Sequence, residues 1–508
     1  MDLKATKRDH RGFAAPVLHA IAVAVICGTG SLPAFAQSVD TRSVEPGTIE
    51  DRIRRPGAAP SEPSAPAVPV DRPATPAAGA DETRFVLAGV QFDGATVYDI
   101  AQFAPLYESY LASEIGADEI SKIVTAVTAK YRGDGYFLTQ AVAAPQDLAL
   151  GVLRIKIVEG YVARVNLPGA SARNAEALMR YAEMIKAVRP ARLEDVERYM
   201  MLIDDLPGVS IDGSVKAIDK DKGTYELSLA VDHARLDGYA SLDNRGTRAV
   251  GRYQALLNVN ANGVFTPKDR IGLTLFTIPR SPKELAYAEI NAETFIGDDG
   301  LRAYASASHS EVDAGGVYSA DDLGSRSSRG ILGLAYPLLR SRDHNLSVYG
   351  KFDIINQRQD YGDVRTFDDR LRILRVGADY RLNDSLDGQN AVSAELSRGL
   401  DILGASDGVY DGQSHDPSRT DGHVEFFKLT VNASRRQKLG DKWAVLVAVG
   451  GQKSDERLLS NEEYFIGGAQ FGRAFDSGEI SGDDGAAALF ELQYGEFLSW
   501  KYLDSYQV

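Results

Sequence analysis

The sequence predicts an α+β pair of repeats followed by a large antiparallel β-sheet closed as a transmembrane barrel. Two observations carry this. Between Arg84 and His233 a pattern of strand, two helical segments and two strands occurs twice with diverged residues, at a period of roughly 75 residues. From about Leu236 the text changes to segments of about ten residues, apolar on one side and polar on the other, separated by turns rich in glycine and aspartate.

The first 36 residues read as a secretory leader. Lys4, Lys7, Arg8 and Arg11 form the charged end, Ala14–Ile26 the apolar middle, and Ala34-Phe35-Ala36 a small-residue cleavage site. The single cysteine of the chain, Cys27, falls inside this leader. The exported part therefore has no disulfide scaffold, thiol nucleophile or cysteine metal site. A formal charge of −15 disfavours wholesale nucleic-acid binding.

Residues 37–83 are expected to form an extended linker, since eight of the twenty prolines fall between Pro46 and Pro76. One island interrupts it. Over Thr48–Arg55, Thr48 can cap a short helix, and Ile49 and Ile53 share one face. A helix this short is marginal in water, so it frays or docks.

The first repeat, 84–159, is expected to begin with a strand at Arg84–Phe92 and a helical region at Tyr98–Tyr110. A clearer helix follows at Asp118–Tyr131, where Ile120, Ile123, Val124, Val127 and Tyr131 recur at helical spacing. Gly133-Asp134-Gly135 stops it. Strands follow at Tyr136–Ala143 and Val152–Val158. The second repeat, 160–233, reads as strand Tyr161–Leu167, helices Asn174–Lys186 and Arg192–Asp205, and strands Val209–Ile218 and Thr224–Val231. Each unit is expected to leave an open sheet edge able to accept a strand from a partner, unless its neighbour covers it.

Over 236–508 about twelve alternating segments can be counted before Tyr494. Leu257 and Val259 alternate with Asn258 and Asn260, Ala288 and Ile290 with Glu289 and Asn291, and Val348 and Phe352 with Lys351 and Asp353. Longer polar connections such as Val312–Ser328 and Gly404–Asp421 read as extracellular loops. A soluble propeller would repeat every 40–50 residues with recurring motifs, and none is visible. The stretch 451–485 is the most unusual connection. Its core, Gly467-Gly468 through Gly472-Arg473-Ala474-Phe475, is glycine-punctuated around one arginine, and it closes with Ser481-Gly482-Asp483-Asp484-Gly485. Glycine allows close backbone approach, so this loop could fold into a confined space and bring Arg473 to a buried acid.

Taken together these residues resemble the two-partner secretion transporters of the bacterial outer membrane, the haemolysin secretion/activation type, within the superfamily of POTRA-plus-barrel proteins. Tyr131-Arg132-Gly133-Asp134-Gly135-Tyr136, then Gln146-Asp147 and Val158-Glu159-Gly160, resemble that family's first POTRA domain. Asp243-Asn244-Arg245-Gly246 resembles its first-strand signature, and the loop around Arg473 its sixth extracellular loop. Gly472-Arg473-Ala474-Phe475 departs from the usual V-R-G-F/Y but keeps the arginine and the aromatic. The family barrel has sixteen strands, about four more than are counted here. The resemblance places the acid that meets the loop arginine just past Val508, and suggests a chain shortened at its C-terminus.

The resemblance implies an outer-membrane translocation pore with its POTRA domains in the periplasm. These would capture an unfolded partner exoprotein, and the island 48–55 would be a plug helix held in the pore at rest. Porin activity, a monomeric state, contact with outer-membrane lipid and an absence of cofactors are further implications. Folding of the cargo outside, and not nucleotide hydrolysis, would drive passage.

Three other readings stand beside this one. A passive porin would have no such periplasmic repeats. An assembly factor for other outer-membrane proteins would carry three or more POTRA repeats and no plug helix. A barrel hydrolase would need a catalytic constellation, but His233, His309, His344, His415 and His423 are scattered without metal-ligand spacing. No G-x-S-x-G elbow is present, and the G-D-D-G sequences at 297–300 and 482–485 read as turns. No catalytic or metal site is therefore expected.

Overall fold

The computed structural model describes residues 84–247, 250–315, 322–406, 416–500 and 503–507. The leader, the proline-rich segment and the candidate plug helix at 48–55 lie outside the described residues.

The first unit contains β1 (Phe85–Val86), β2 (Gly89–Asp93), 3-10 turns at Ile100–Leu106 and Glu108–Tyr110, and β3 (Glu114–Ile115). Helix α1 (Ala117–Gly133), β4 (Gln140–Val142) and β5 (Val152–Val158) complete it. The initial strand is broken in two because Ala88 N and Gly89 N both turn to the Gly151 carbonyl. β1 then pairs with β3 while β2 runs parallel to β5. The region expected to be helical at Tyr98–Tyr110 is 3-10, with Pro105 removing a donor inside it. β4 is shorter than expected, because 136–139 are taken up by turn hydrogen bonds from Phe137 N and Thr139 N.

Helix α1 starts where Glu119 accepts from Gly116 N at 3.0 Å, with acids in its first turn and Lys130 and Arg132 in its last. It lays Ile123, Val127 and Tyr131 on Leu153, Ile155 and Ile157 of the sheet β2-β5-β4.

The second unit repeats the plan with β6 (Tyr161–Asn166), α2 (Ala172–Ala187), α3 (Leu193–Asp204), β7 (Val209–Asp219) and β8 (Thr224–His233). Ser171 caps α2 by accepting from Asn174 N. Sheet order β6-β8-β7 gives one parallel and one antiparallel pairing, as in the first unit. The two units are joined by a backbone bond from Leu193 N to the Gly135 carbonyl (2.9 Å), and at their boundary Ala191 N bonds to the Gly160 carbonyl (2.8 Å). Leu138 of the first unit enters the core of the second.

The rest of the chain is an antiparallel meander. Its strands are β9 (Leu236–Asp243), β10 (Gln254–Asn262), β11 (Asp269–Thr277), β12 (Ala286–Ile296), β13 (Leu301–Asp313) and β14 (Leu323–Arg340). β15 (His344–Tyr361), β16 (Val364–Asn383), β17 (Gly388–Gly399), β18 (Phe427–Lys438) and β19 (Trp443–Ser454) follow. A small hairpin of β20 (Tyr464–Ile466) and β21 (Ile480–Gly482) stands apart within a loop, and β22 (Gly485–Trp500) and β23 (Leu503–Gln507) end the sheet. The twelve segments counted before Tyr494 are β9–β19 and β22, each paired with its neighbour. Among the described residues, β9 and β23 form the two ends of the sheet.

One face of this wall is apolar and open. Leu257, Leu273, Ile290, Leu332, Leu334, Leu374, Val376, Val447, Val449 and Phe490 are all exposed on it. The alternate positions, among them Asn258, Asp353, Arg375, Lys428 and Gln452, turn inward and are polar. Such a surface suits hydrocarbon outside and water inside, the arrangement of an outer-membrane barrel. No described helix is long and apolar enough to cross a membrane. β14, β15 and β16 have 18, 18 and 20 residues, well beyond the roughly ten that span a bilayer. They project on the side away from the repeats, where the longer loops lie.

Candidate functional site: the loop seated in the barrel

Two places on this frame gather polar chemistry: the joint between the second repeat and the barrel turns, and the interior beneath the loop between β19 and β22.

At the joint, Arg340 at the end of β14 forms two bonds to Asp205 after α3, at 2.8 and 2.7 Å. Arg342 meets Glu197 at 2.8 Å, and Arg173 donates to the Val264 carbonyl at 2.9 Å. Phe295 packs on the second repeat's core. The repeat thus sits directly against the turns after β10, β12 and β14. Burial raises the Glu197 carboxyl, with Arg342 opposing, and burial likewise raises Asp204 beside the pair.

Under the loop, a 3-10 turn at Ser460–Glu462 carries Glu462 into the barrel wall, where it is 3% exposed. Arg375 of β16 grips its carboxylate at 2.7 and 3.0 Å, and Lys428 of β18 reaches it at 2.6 Å. Arg375 also donates to Asp353 of β15 (2.8 Å) and Ser397 of β17 (2.9 Å), and Arg329 of β14 meets the same Asp353 at 2.5 Å. One carboxylate of the loop is therefore wired to five successive strands. These charges are tolerable in a buried place only because each is matched and hydrogen-bonded. Leu458 and Leu459, just before the turn, pack on Ile355, Leu371, Ile373, Val424 and Phe426.

A second tie holds the end of the loop. Arg419, from the connection between β17 and β18, binds Asp483, meets Glu463 at 3.1 Å and donates to the Leu458 carbonyl at 2.9 Å. Asp483 also accepts from Leu458 N at 2.8 Å. Gln452 bridges the carbonyls of Glu462 and Asp483.

Residues 85–160 match the ShlB-type POTRA domain, and residues 227–506, more than half of the chain, match the haemolysin secretion/activation protein model ShlB/FhaC/HecB. This chain belongs to that family. It is 25% identical over 420 residues to the heme/hemopexin transporter protein HuxB of Haemophilus influenzae strain 86-028NP, covering 81% of this chain and 73% of the relative. It is 24% identical over 437 residues to the outer membrane transporter CdiB of Escherichia coli O6:K15:H31, covering 83% and 71%. Among solved structures, CdiB from Escherichia coli superposes with a TM-score of 0.65 at 21% identity, covering 86% of this chain and 80% of that one. CdiB from Acinetobacter baumannii gives 0.55 at 16% identity, with 91% and 86% covered. The family is one of transporters, which sets the hydrolase reading aside.

In this ShlB-family chain Arg473 lies 2.9 Å from Glu491, an inward-facing residue of β22, and donates to the Ala469 carbonyl at 3.3 Å. Its side chain is half exposed. The acid it meets in this structure lies within the chain, in the strand after the loop, and is only partly covered. The buried acid of the loop is Glu462. Phe475 is exposed, while Gly467, Gly468 and Gly472 all take positive φ (122°, 84° and 79°) along a tight path in which Gly467 N and Gly468 N bond to the carbonyls of Phe471 and Phe475. Gly482 pairs with Tyr464 in the small hairpin, and Gly485 opens β22 opposite Gln452.

The other signature residues lie apart from this loop. Asp243 ends β9, and its carboxylate accepts from Arg245 N (2.8 Å) in a turn that includes Asn244; Gly246 N bonds to the Arg252 carbonyl. In the first repeat, Glu159 accepts from Tyr131 Oη (2.8 Å), Thr96 N (2.8 Å) and Val97 N (3.1 Å). Gln146 closes a two-way bond with the Arg154 backbone at 2.7 and 2.8 Å, and Asp147 holds Ala149 N. Gly135 supplies the carbonyl that joins the two units, Gly160 at their boundary accepts from Ala191 N, and Tyr136 packs edge-on against Tyr131. These motif residues shape the repeat and its joint.

Arg375, Lys428, Arg419 and Glu462 were not singled out by the sequence reading. The available signal was parity: Arg375 stands between Leu374 and Val376, which face lipid, so it must point inward.

Proposed function

We propose that this chain is the outer-membrane transporter of a two-partner secretion system, and that its POTRA pair receives a partner exoprotein and delivers it to the barrel. The observation that carries this is a ShlB-type POTRA domain, followed by a second repeat of the same plan, ahead of a wet-lined, lipid-faced sheet on which that second repeat is docked. The receiving surface is the open sheet edge. Among the described residues β2 pairs only with β5, and β7, eleven residues long, pairs only with β8. Strand addition at such an edge gives a main-chain grip on an unfolded cargo without demanding one sequence. The loop carrying Arg473 shapes the pore, and the island 48–55, with Ile49 and Ile53, occupies it at rest. Cargo folding outside the cell supplies the direction.

Co-expression with the adjacent large exoprotein tests this, comparing the intact chain with one lacking Arg84–Asp232. Cargo in the medium only with both repeats present supports the reading. Indifference of export to the repeats, with other outer-membrane proteins failing to assemble, overturns it in favour of an assembly factor.

A further inference from the structure

The outer face of the wall changes character above its apolar belt. Along β15 the outward positions include Leu346, Val348, Phe352 and Ile354, and then come Asn356, Arg358 and Asp360. On β16, set beside it in antiparallel register, Val376 and Leu374 give way to Arg372, Arg370 and Asp368. The intervening Ile355, Gln357, Leu371 and Ile373 are buried on the inner side. A strand rise of ~3.3 Å at a barrel's tilt puts these arginines roughly 5–10 Å beyond the last apolar side chains, the depth of a headgroup layer.

Their partners are uneven. Arg370 holds Asp368 at 3.2 and 3.3 Å, and Asp368 also meets Arg365 at 3.6 Å. Arg326 of β14, directly opposite Arg358, is taken by Glu311 (3.0 Å) and Asp360 (3.8 Å). Arg372 donates to the Leu403 carbonyl (3.3 Å), to Asn356 (3.0 Å) and to the Ile355 and Leu371 carbonyls, and meets no carboxylate among the described residues. Arg358 has neither a hydrogen bond nor an ion pair among the described residues, and its Nε is buried without an acceptor. Five guanidiniums therefore share this face with three carboxylates, and Arg358 and Arg372 are the two left over.

We infer that Arg358, Arg370 and Arg372 form a phosphate-binding patch on the outer wall of the barrel, and that its ligand is the phosphorylated glycolipid headgroup of the outer leaflet. The fork of a guanidinium matches two phosphate oxygens, and an arginine without a carboxylate has that fork open. An anion here also relieves the repulsion between Arg326 and Arg358, like charges facing across two strands. A lipid fits both halves of the surface, its phosphate on the arginines and its acyl chains on Leu374 and Val376 beneath them, which are 47% and 55% exposed. Free phosphate would leave that apolar half unused.

Native mass spectrometry of the detergent-purified whole protein tests this, with diphosphoryl lipid A as the probe. The chain is expected to retain the lipid, and removal of the lipid's phosphates should weaken retention about tenfold, as loss of a charge-assisted pairing does. Arg358→Gln breaks no bond among the described residues and should weaken binding about fivefold, and adding Arg370→Gln should carry the loss beyond about tenfold. Lys222→Gln, the same change of charge on the exposed surface of the second repeat, should leave binding as it was. Arg358→Gln alone decides where the double variant fails to give a heat-modifiable barrel.

Equal retention of lipid A by the parent and Arg358→Gln, or of phosphorylated and dephosphorylated lipid by the parent, overturns the site. Displacement of lipid A by millimolar inorganic phosphate would assign the patch to free anions and overturns the lipid. A matching loss in Lys222→Gln would reduce the effect to net charge and overturns the patch. None of these readings uses cargo, so the transport reading stands or falls separately.

Discussion

Arg340 and Asp205 meet through two parallel N–H···O bonds, joining the C-terminal end of α3 to the periplasmic end of β14. The pair is 17% and 32% exposed, so it is partly shielded from water. Removing Asp205 leaves a largely buried guanidinium without its carboxylate. Asp205→Ala should weaken the docking of the second repeat by about 1–2 kcal/mol. Limited proteolysis near Leu206-Pro207-Gly208 should speed up while the barrel stays heat-modifiable. Cleavage at the parental rate would show that the other contacts of the joint, Arg342–Glu197, Arg173 on the Val264 carbonyl and Phe295 among them, hold it without this pair.

Glu159 ties the end of β5 to the Thr96 turn and to Tyr131 of α1. Glu159→Ala strands two backbone N–H groups and the hydroxyls of Tyr131 and Thr96, a loss of about 2–3 kcal/mol in the first repeat. Tyr131→Phe removes a single partner and should cost about 1 kcal/mol. Hydrogen exchange of α1 amides distinguishes the two, and equal protection in both variants would refute the ranking.

Asp204 gives the second repeat a pH dependence. Burial raises its carboxyl, the charges of Asp205 and Asp212 add to this, and Ile211 N–H and Arg340 oppose it. A carboxyl raised on folding stabilises the fold fully below its unfolded pKa of about 3.9, and that contribution is lost as pH rises through the folded value. β7 amides should therefore be more protected at pH 5 than at pH 7.5, after correction for intrinsic exchange. Asp204→Asn keeps an acceptor for Ile211 N and should flatten most of the slope. Glu197, raised in the same direction, should leave a remainder. A slope identical to the parent's would place the effect elsewhere.

Arg473→Ala should lower export of the cargo while the barrel still inserts. The arginine is half exposed and meets a single partly covered acid, so it contributes little to assembly. Loss of the heat-modifiable form would instead make Arg473 a folding residue. Glu491→Gln should reproduce the export defect in milder form, because the amide still accepts a hydrogen bond.

Local pattern alone was enough to read the repeats, the twelve alternating segments and the loop between β19 and β22. Helical spacing in α1, alternation along β10 or β12 and glycine clusters in turns are properties of neighbouring residues, and the chain displays them directly. Where a local competitor intervened, the reading slipped. Pro105 turned an expected helix into 3-10 turns, and the Gly151 carbonyl divided the first strand.

What the sequence could not show is which charges meet. Glu462 lies 87 residues from Arg375 and 34 from Lys428, and nothing in either neighbourhood marks them as partners. They come together because curvature of the sheet and packing of Leu458 and Leu459 under the loop bring distant inward-facing positions within bonding distance. The same holds for Arg473, whose acid proved to be Glu491 of the strand just after the loop. Strand parity decides which way a side chain points, but only the tertiary arrangement of wall and loop decides what it touches.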